Sequence, residues 1–96
     1  MSQIKKIIWT NTAKDELKTI FNFYKEKSVQ GANRVKEDIF KTTSTIHFAE
    51  QYQKDEIEPE FRRIIVRDYK ILYEIVDDVI YIARIYSTKL NPDRQL

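Results

Sequence analysis

The sequence has no cysteine, one glycine and two prolines among its 96 residues. Without cysteine there can be no disulfide and no thiolate nucleophile, and we expect an intracellular, cytoplasmic protein. Because Gly31 is the only glycine, the chain has no glycine-rich loop that could cradle a phosphate. So few glycines and prolines indicate an ordered chain with few flexible joints.

Long hydrophobic runs are also missing. No apolar stretch approaches the roughly 18 residues that span a bilayer, so we expect no membrane partner. Residues 1–9 lack both a long apolar stretch and a small-residue cleavage site, and we interpret them as mature sequence. The length fits one domain, which we predict to occupy residues 1–96.

Charge of either sign is balanced overall but uneven locally. Seventeen basic residues oppose fifteen acidic ones, and a net charge of +2 is too small to identify a nucleic-acid binder. Residues 55–60 are acidic, and we interpret them as a solvated loop. Four basic residues follow within nine positions: Arg62, Arg63, Arg67 and Lys70. The sequence therefore predicts a dipolar patch rather than a basic field.

Hydrophobic periodicity predicts six elements in the order β-α-α-β-β-β. A short strand over residues 4–9 precedes two amphipathic helices, with Thr10 and Ser28 as their N-caps. Residues 47–60 have no period and end at a proline, so we predict a loop. Alternating strands follow from residue 61, with a tight turn near Asp68, a hairpin at Asp77-Asp78, and a polar tail over residues 87–96.

These elements predict an α+β fold. Three consecutive strands with short links form an antiparallel meander, to which the first strand can be added. We therefore expect a helical hairpin packed on one face of a small antiparallel sheet, leaving a partly open basic and aromatic face as the candidate functional surface. On the last strand, simple alternation assigns one face to Val79, Tyr81, Ala83 and Ile85 and the other to Ile80, Ile82, Arg84 and Tyr86.

The residues available for chemistry are mainly Arg, Lys and Tyr. The only histidine, His47, follows a helix and is typical of a capping or surface residue. The clustered carboxylates fall in a loop and a turn, so we predict no metal and no cofactor. Arg and Lys can stabilise charge at phosphorus and Tyr can stack on a base. The same pattern also fits the wet face of a sheet, with Tyr69, Tyr73 and Tyr81 as core residues.

Residues 62–75, followed by residues 78–85, resemble the C-terminal strands of the RelE/ParE superfamily of toxins. In that superfamily an Arg opens the second strand, a Tyr-x-Ile-x-Tyr core fills the third, and an apolar fourth strand follows; Arg62 and Tyr69 to Tyr73 stand at these positions here. The early part of the chain is similar as well, and the resemblance covers nearly the whole sequence, closer to ParE than to RelE. The matching positions there are Trp9, Thr10, Ala13, Leu17, Ile20, Tyr24 and Ala32.

The resemblance implies a toxin of a type II toxin–antitoxin module, neutralised by a cognate antitoxin, in some cases as a heterotetramer. ParE-like members inhibit DNA gyrase, and RelE-like members cleave mRNA on the ribosome without a metal. We expect a growth-inhibiting ParE-like toxin. A RelE-like ribosome-dependent endoribonuclease and a degenerate, non-toxic interaction module remain as alternatives.

The resemblance also suggests functional residues. As a ribonuclease, the chain would place Arg63, Lys70 and Lys89 around the scissile phosphate, with Tyr86 nearby. The segment 86–89 stands where some ribonuclease members have a His-Tyr ending, which favours a protein that is not an enzyme. A wider functional surface is predicted to include Arg62, Arg67 and Tyr73.

Overall fold

The order of the predicted elements is confirmed in the computed structural model, which describes residues 4–89. A 3₁₀ turn, Ala49–Gln51, interrupts the predicted loop. Residues 1–3 and most of the predicted polar tail, residues 90–96, lie outside the described part of the chain. The elements are β1 (Lys6–Trp9), α1 (Asn11–Lys25), α2 (Val29–Ser44), β2 (Arg62–Val66), β3 (Tyr69–Val76) and β4 (Val79–Ser87).

Both helices begin at the predicted caps. The Thr10 hydroxyl oxygen accepts a hydrogen bond from the backbone N–H of Ala13 at 3.3 Å, and the Ser28 hydroxyl oxygen accepts one from Gly31 at 3.0 Å. Each bond satisfies an N–H group that has no partner inside the first turn. Only three residues separate the helices, so they fold back on each other as a hairpin.

The meander β2–β3–β4 is antiparallel, as predicted. Arg67 and Asp68 form the first two-residue turn, and Asp77 and Asp78 form the second. Both residues of the second turn have positive φ angles, 51° and 68°. That backbone matches the right-handed twist of the flanking strands, which is why short hairpins favour it.

β1 departs from the expected antiparallel sheet, because it pairs with β4 in parallel. The sheet is therefore mixed, in the order β1-β4-β3-β2. The helical hairpin explains the direction: it returns the chain to the start of β1, where Ile46 and His47 lie beside Ile4 and Ile7. A strand that leaves from that end, as β2 does, runs parallel to β1. Because neighbouring strands of the meander are antiparallel, β4 has the same direction as β2 and is therefore parallel to β1.

A β-bulge lies in the middle of β4. Leu72 is opposite Arg84 while Tyr73 is opposite Ile82, so Ala83 is an extra residue on β4. The bulge reverses the alternation, and Ile85 joins Ile80 and Ile82 in the core. The predicted face assignment of Ile85 was therefore wrong, because alternation holds only within an unbroken ladder.

The core lies between the helices and one face of the sheet. Its members come from both helices and from β2, β3 and β4, and they include Leu17, Ile39, Ile71, Tyr73 and Ile82. Tyr69 and Tyr73 are buried here, which confirms their interpretation as core residues, whereas Tyr81 is only half-buried and stands opposite Glu74. Over residues 4–89, no helix combines the length and apolar character needed to cross a membrane.

Candidate functional site

The sheet face turned away from the helices carries the predicted basic and aromatic side chains. Alternation places its residues between the core residues of the same strands. In one cross-strand row Arg63 lies opposite Leu72, which lies opposite Arg84; in the next, Ile65, Lys70 and Tyr86 are aligned. We call this surface the meander face, defined by Arg63, Ile65, Lys70, Leu72, Arg84 and Tyr86.

Residues 53–61, which we call the acidic loop, pack over part of the meander face. Lys54 forms a β-bridge with Arg62 beyond the edge strand β2. The backbone N–H of Asp55 donates to the carbonyl of Phe61 at 2.9 Å, which closes the loop on itself. Leu72, at the centre of the face, is fully buried. The predicted open face is therefore partly covered.

Asp55 and Lys70 form a buried ion pair between the acidic loop and β3. The Lys70 Nζ donates to Oδ1 of Asp55 at 2.8 Å, and the two residues are 6% and 1% exposed. The other carboxylate oxygen, Oδ2, accepts from the backbone N–H groups of Ile57 and Glu58 at 3.1 and 2.8 Å. The interpretation of this segment as solvated was wrong for Asp55, because three donors converge on its carboxylate and fix it inside the fold.

The hydrogen bonds keep Asp55 ionised. Burial raises the pKa of its carboxyl group, but the bonds from the Lys70 ammonium and the two backbone N–H groups outweigh that effect, and the net pKa lies below the usual 3.8. At neutral pH the Lys70 charge is therefore balanced by a carboxylate in direct contact.

The two arginines of the meander face also have acidic partners. The Arg84 guanidinium donates to Oε2 of Glu16 at 2.7 and 2.9 Å. Glu16 uses its other oxygen to accept from the backbone N–H of Ile85 at 2.9 Å. Because β1 ends opposite Ile82, the edge of β4 beyond that point lacks a strand partner there, and Glu16 supplies an acceptor. Arg63 has a looser partner, with its Nη2 at 3.9 Å from Glu56.

Tyr86 lies beside two of these cations. Its ring centroid is 5.9 Å from the Lys70 Nζ and 5.7 Å from the Arg84 Cζ. Burial is the largest influence on its hydroxyl and raises the pKa above 10.0, against the opposing effect of Lys70. A phenol that holds its proton this firmly is poorly suited to act as a general base at neutral pH.

The residues predicted for the wider functional surface make structural contacts. Arg62 Nη1 donates to the carbonyl of Tyr52 at 2.7 Å, and the Tyr73 hydroxyl donates to the carbonyl of Ala49 at 3.0 Å. Together they hold residues 49–52 against the sheet. Tyr73 is fully buried, and burial raises its pKa to about 12.

Arg67 and Lys89 lie away from the meander face. Arg67 Nε donates to Oδ2 of Asp38 at 2.8 Å, joining the first turn of the meander to α2. Lys89 Nζ lies 3.3 Å from Oδ2 of Asp68. Lys89 also lines a groove along α1 that includes Phe23. The fold thus brings Arg63, Lys70 and Tyr86 onto one face and places Lys89 elsewhere; the functional roles of all seven residues stay predictions.

Sequence reasoning missed the acidic partners of this surface. The acidic run beside the basic one was a visible signal for Asp55, but it did not indicate which carboxylate would be buried. Nothing in the sequence predicted the role of Glu16, because its partner Arg84 is 68 positions away. Within residues 4–89, no three His, Asp or Glu side chains are grouped as a metal site would require.

The family model described as "ParE toxin of type II toxin-antitoxin system, parDE" matches residues 7–92. The chain belongs to the ParE toxin family. This confirms the predicted resemblance to the RelE/ParE superfamily and its closer relation to ParE. The ParE-family chain is thereby a member of a family of type II toxins. A comparison with curated proteins found none with significant sequence similarity to it.

Solved structures give the same fold. A chain of the chromosomal ParDE TA system from P. aeruginosa superposes with a TM-score of 0.75 at 19% identity, over 88% of this ParE-family chain and 96% of that chain. A chain of the RelB-RelE antitoxin-toxin complex from Methanococcus jannaschii superposes with a TM-score of 0.56 at 20% identity, over 91% and 96%. At these identities the likeness establishes the α+β fold of two helices on a four-stranded sheet.

Proposed function

We propose that this protein is a growth-inhibiting toxin that acts in the bacterial cytoplasm on DNA gyrase and does not cleave RNA. Membership of the ParE toxin family supports the toxin class. The gyrase target follows the ParE side of the superfamily.

The Asp55–Lys70 ion pair is the observation that carries this proposal. A ribonuclease without a metal needs cationic side chains that can touch the phosphate as charge develops. Lys70 is buried and its ammonium is held by Asp55, while Arg84 is held by Glu16. Two of the three cations of the meander face, Lys70 and Arg84, are therefore held by the protein's own carboxylates, which favours a toxin that binds its target over one that cleaves RNA.

A cognate antitoxin is the expected partner. The two solved structures described above belong to toxin–antitoxin systems, which supports this part of the proposal. We propose that the antitoxin binds this chain directly and that the complex is a heterotetramer. Coexpression with the product of the adjacent small reading frame should yield a complex whose mass gives the stoichiometry. A gene with no small partner beside it would count heavily against the module.

The target is tested with the purified chain and with growing cells. Induction of this chain alone in a bacterium should arrest growth, and coexpression of the adjacent gene should restore it. The purified chain should reduce the supercoiling of relaxed plasmid by gyrase. Normal growth while the chain accumulates in folded form would instead favour the degenerate, non-toxic module.

A RelE-like ribonuclease is the second candidate, since Arg63, Lys70 and Tyr86 share one face. This function would require the acidic loop to leave that face and release Lys70. Primer extension on translated messages after induction distinguishes the two candidates. Cuts within codons, with gyrase supercoiling unaffected, would replace the gyrase proposal with the ribonuclease.

A further inference from the structure

The basic side chains of residues 4–89 differ in whether they contact an acidic side chain or a carbonyl. The six on the meander and its end, Arg62, Arg63, Arg67, Lys70, Arg84 and Lys89, each contact an acidic side chain or a carbonyl. By contrast, within the described residues Lys14, Lys18 and Lys36 have no carboxylate within ion-pair distance. The positive charge that remains available therefore includes lysines of the two helices.

These three lysines line one depression that is otherwise apolar, which we call the lysine groove. It has a volume of about 240 Å³ and lies where α1 and α2 meet the end of β1. Its lining consists of Trp9, Lys14, Leu17, Lys18, Phe21, Lys36 and Phe40.

In the groove, the Phe40 side chain contacts both Trp9 and Lys36. The Trp9 and Phe40 rings meet edge to face with their centroids 5.2 Å apart, and Phe40 is 39% exposed. The Lys36 Nζ lies 5.4 Å from the Phe21 ring centroid and 5.9 Å from that of Phe40. An ammonium so close to two rings keeps its charge at the apolar surface, where an incoming carboxylate can reach it.

The groove also lies beside an edge strand of the sheet. The strand order puts β1 at the edge, with β4 as its only strand neighbour among the described residues. A neighbouring depression along β1 and α2 shares Trp9 and Phe40 with the groove and is also lined by Ile7 and Lys41. A partner seated in the groove could therefore extend along this edge.

We propose that the lysine groove docks an acidic protein segment that seats a large apolar side chain in the depression, against the Trp9 and Phe40 rings. Three lysines that have no carboxylate partner among residues 4–89 line an apolar pocket, and they complement glutamates or aspartates around an apolar anchor. Nucleic acid fits less well. Lys36 already stands at the Phe21 and Phe40 rings, which limits base stacking on them.

The inference rests on the proposed function in one respect: in a toxin–antitoxin module, the antitoxin is the natural source of such a segment. The chemistry of the groove can be tested without it. Trp9 is the only tryptophan of the chain, so intrinsic fluorescence reports directly on the groove. The probe is a tryptophan-free helical peptide of Glu and Ala with Leu at i, i+4 and i+7, compared with a counterpart in which Lys replaces every Glu.

The acidic peptide should shift the Trp9 emission saturably, and the basic counterpart should not. The Lys14→Glu/Lys36→Glu variant should weaken binding about tenfold or more, because two attractive charges become repulsive. Lys25→Glu/Lys54→Glu is the matched control, since these lysines are exposed, have no ion pair among the described residues and lie outside the groove. Circular dichroism of both variants should match the parent chain.

Three results would overturn the inference. These are no shift with the acidic peptide, equal binding of the basic counterpart, or equal weakening by the control variant. A single-stranded oligonucleotide that binds more tightly than the acidic peptide, and loses that binding in Lys14→Glu/Lys36→Glu, would also overturn it and assign the groove to nucleic acid. Each of these can occur while growth arrest persists, whereas peptide binding without growth arrest would overturn only the toxin function.

Discussion

Lys70 and Asp55 are joined by a hydrogen-bonded ion pair of 2.8 Å, and both side chains are buried. Lys70 belongs to β3 and Asp55 to the acidic loop, so one contact fixes the loop on the sheet. Taking two charges out of water is costly, and the cost is recovered only if both partners are present and their other bonds are satisfied. The pair therefore determines how the protein responds to changes at either residue.

Replacement of either partner alone should be strongly destabilising. Lys70→Met or Asp55→Asn should each lower the free energy of unfolding, the former by about 3–5 kcal/mol because it leaves a buried carboxylate without its cation. The Asp55→Asn/Lys70→Met double variant should recover much of that loss, since the Asn oxygen can still accept from Ile57 and Glu58. Urea unfolding of the four proteins gives the coupling energy.

The double variant also distinguishes a structural role of Lys70 from a direct role in growth arrest. A toxin that only binds its target should still arrest growth when both residues are replaced, provided that the protein folds. Loss of growth arrest in a double variant of normal stability would instead assign Lys70 a direct role. Lys70→Met alone cannot decide this, because it lowers stability under either mechanism.

Acid should weaken the fold partly through Asp55. Its pKa is lower in the folded protein than the ordinary 3.8, so the stabilisation is present above that value and is lost as the pH falls through the folded pKa. The urea midpoint should therefore decline as the pH falls below about 4. In Asp55→Asn the decline should be shallower, and the difference between the two proteins should shrink as the pH falls. A constant difference down to the lowest pH would contradict the assignment.

Glu16 should protect the unpaired edge of β4. Glu16→Ala removes the acceptor for the Ile85 N–H and the partner of Arg84, and it should cost about 1–3 kcal/mol because hydrogen bonds to a charged group are involved. Glu16→Gln should cost less, since the amide oxygen still accepts from Ile85. Hydrogen exchange at the Ile85 amide should accelerate in Glu16→Ala. Glu37→Gln, an exposed helical carboxylate without an ion pair in residues 4–89, is the control.

The second turn of the meander should be stabilised by glycine. Asp78 has a φ angle of 68°, a left-handed conformation that costs a residue with a Cβ roughly 1–2 kcal/mol. Asp78→Gly should raise the free energy of unfolding by about 0.5–1 kcal/mol, the balance between relief of that strain and the greater freedom of the unfolded chain. Asp78→Ala should lower it instead. Thermal unfolding of both variants checks the sign, and an equal response to Gly and Ala would contradict the explanation.

Two features of the fold could not be predicted from the pattern of residue types along the sequence. In β4, alternation puts Ile80, Ile82 and Arg84 on one face and Tyr81, Ala83 and Ile85 on the other, so both faces are mostly apolar and the pattern does not locate the extra residue at Ala83. The direction of β1 depends on where the helical hairpin returns the chain, which is set by helix lengths and packing. An αα connection between two strands is compatible with either direction until the sheet is assembled.

Local features such as helix caps and turns, by contrast, could be predicted from the sequence. The caps Thr10 and Ser28, the turn at Asp77-Asp78 and the apolar stripes all depend on residues within a few positions of one another, and each is present in the structure. The family resemblance could also be recognised from the sequence, because it depends on the order of the strands and on residue types at fixed spacings.

The sequence alone thus determined the six elements, the α+β class and the membership of the ParE toxin family. Only the tertiary structure decided which charges are available. The acidic loop has no period, and the partner of each carboxylate is chosen by proximity in space, so the burial of Asp55 against Lys70 could not be inferred from position. Lys70 and Arg84 of the meander face are paired in this way, whereas the lysines near Trp9 have no carboxylate partner within residues 4–89, because electrostatic pairing depends on distances that only the folded chain defines.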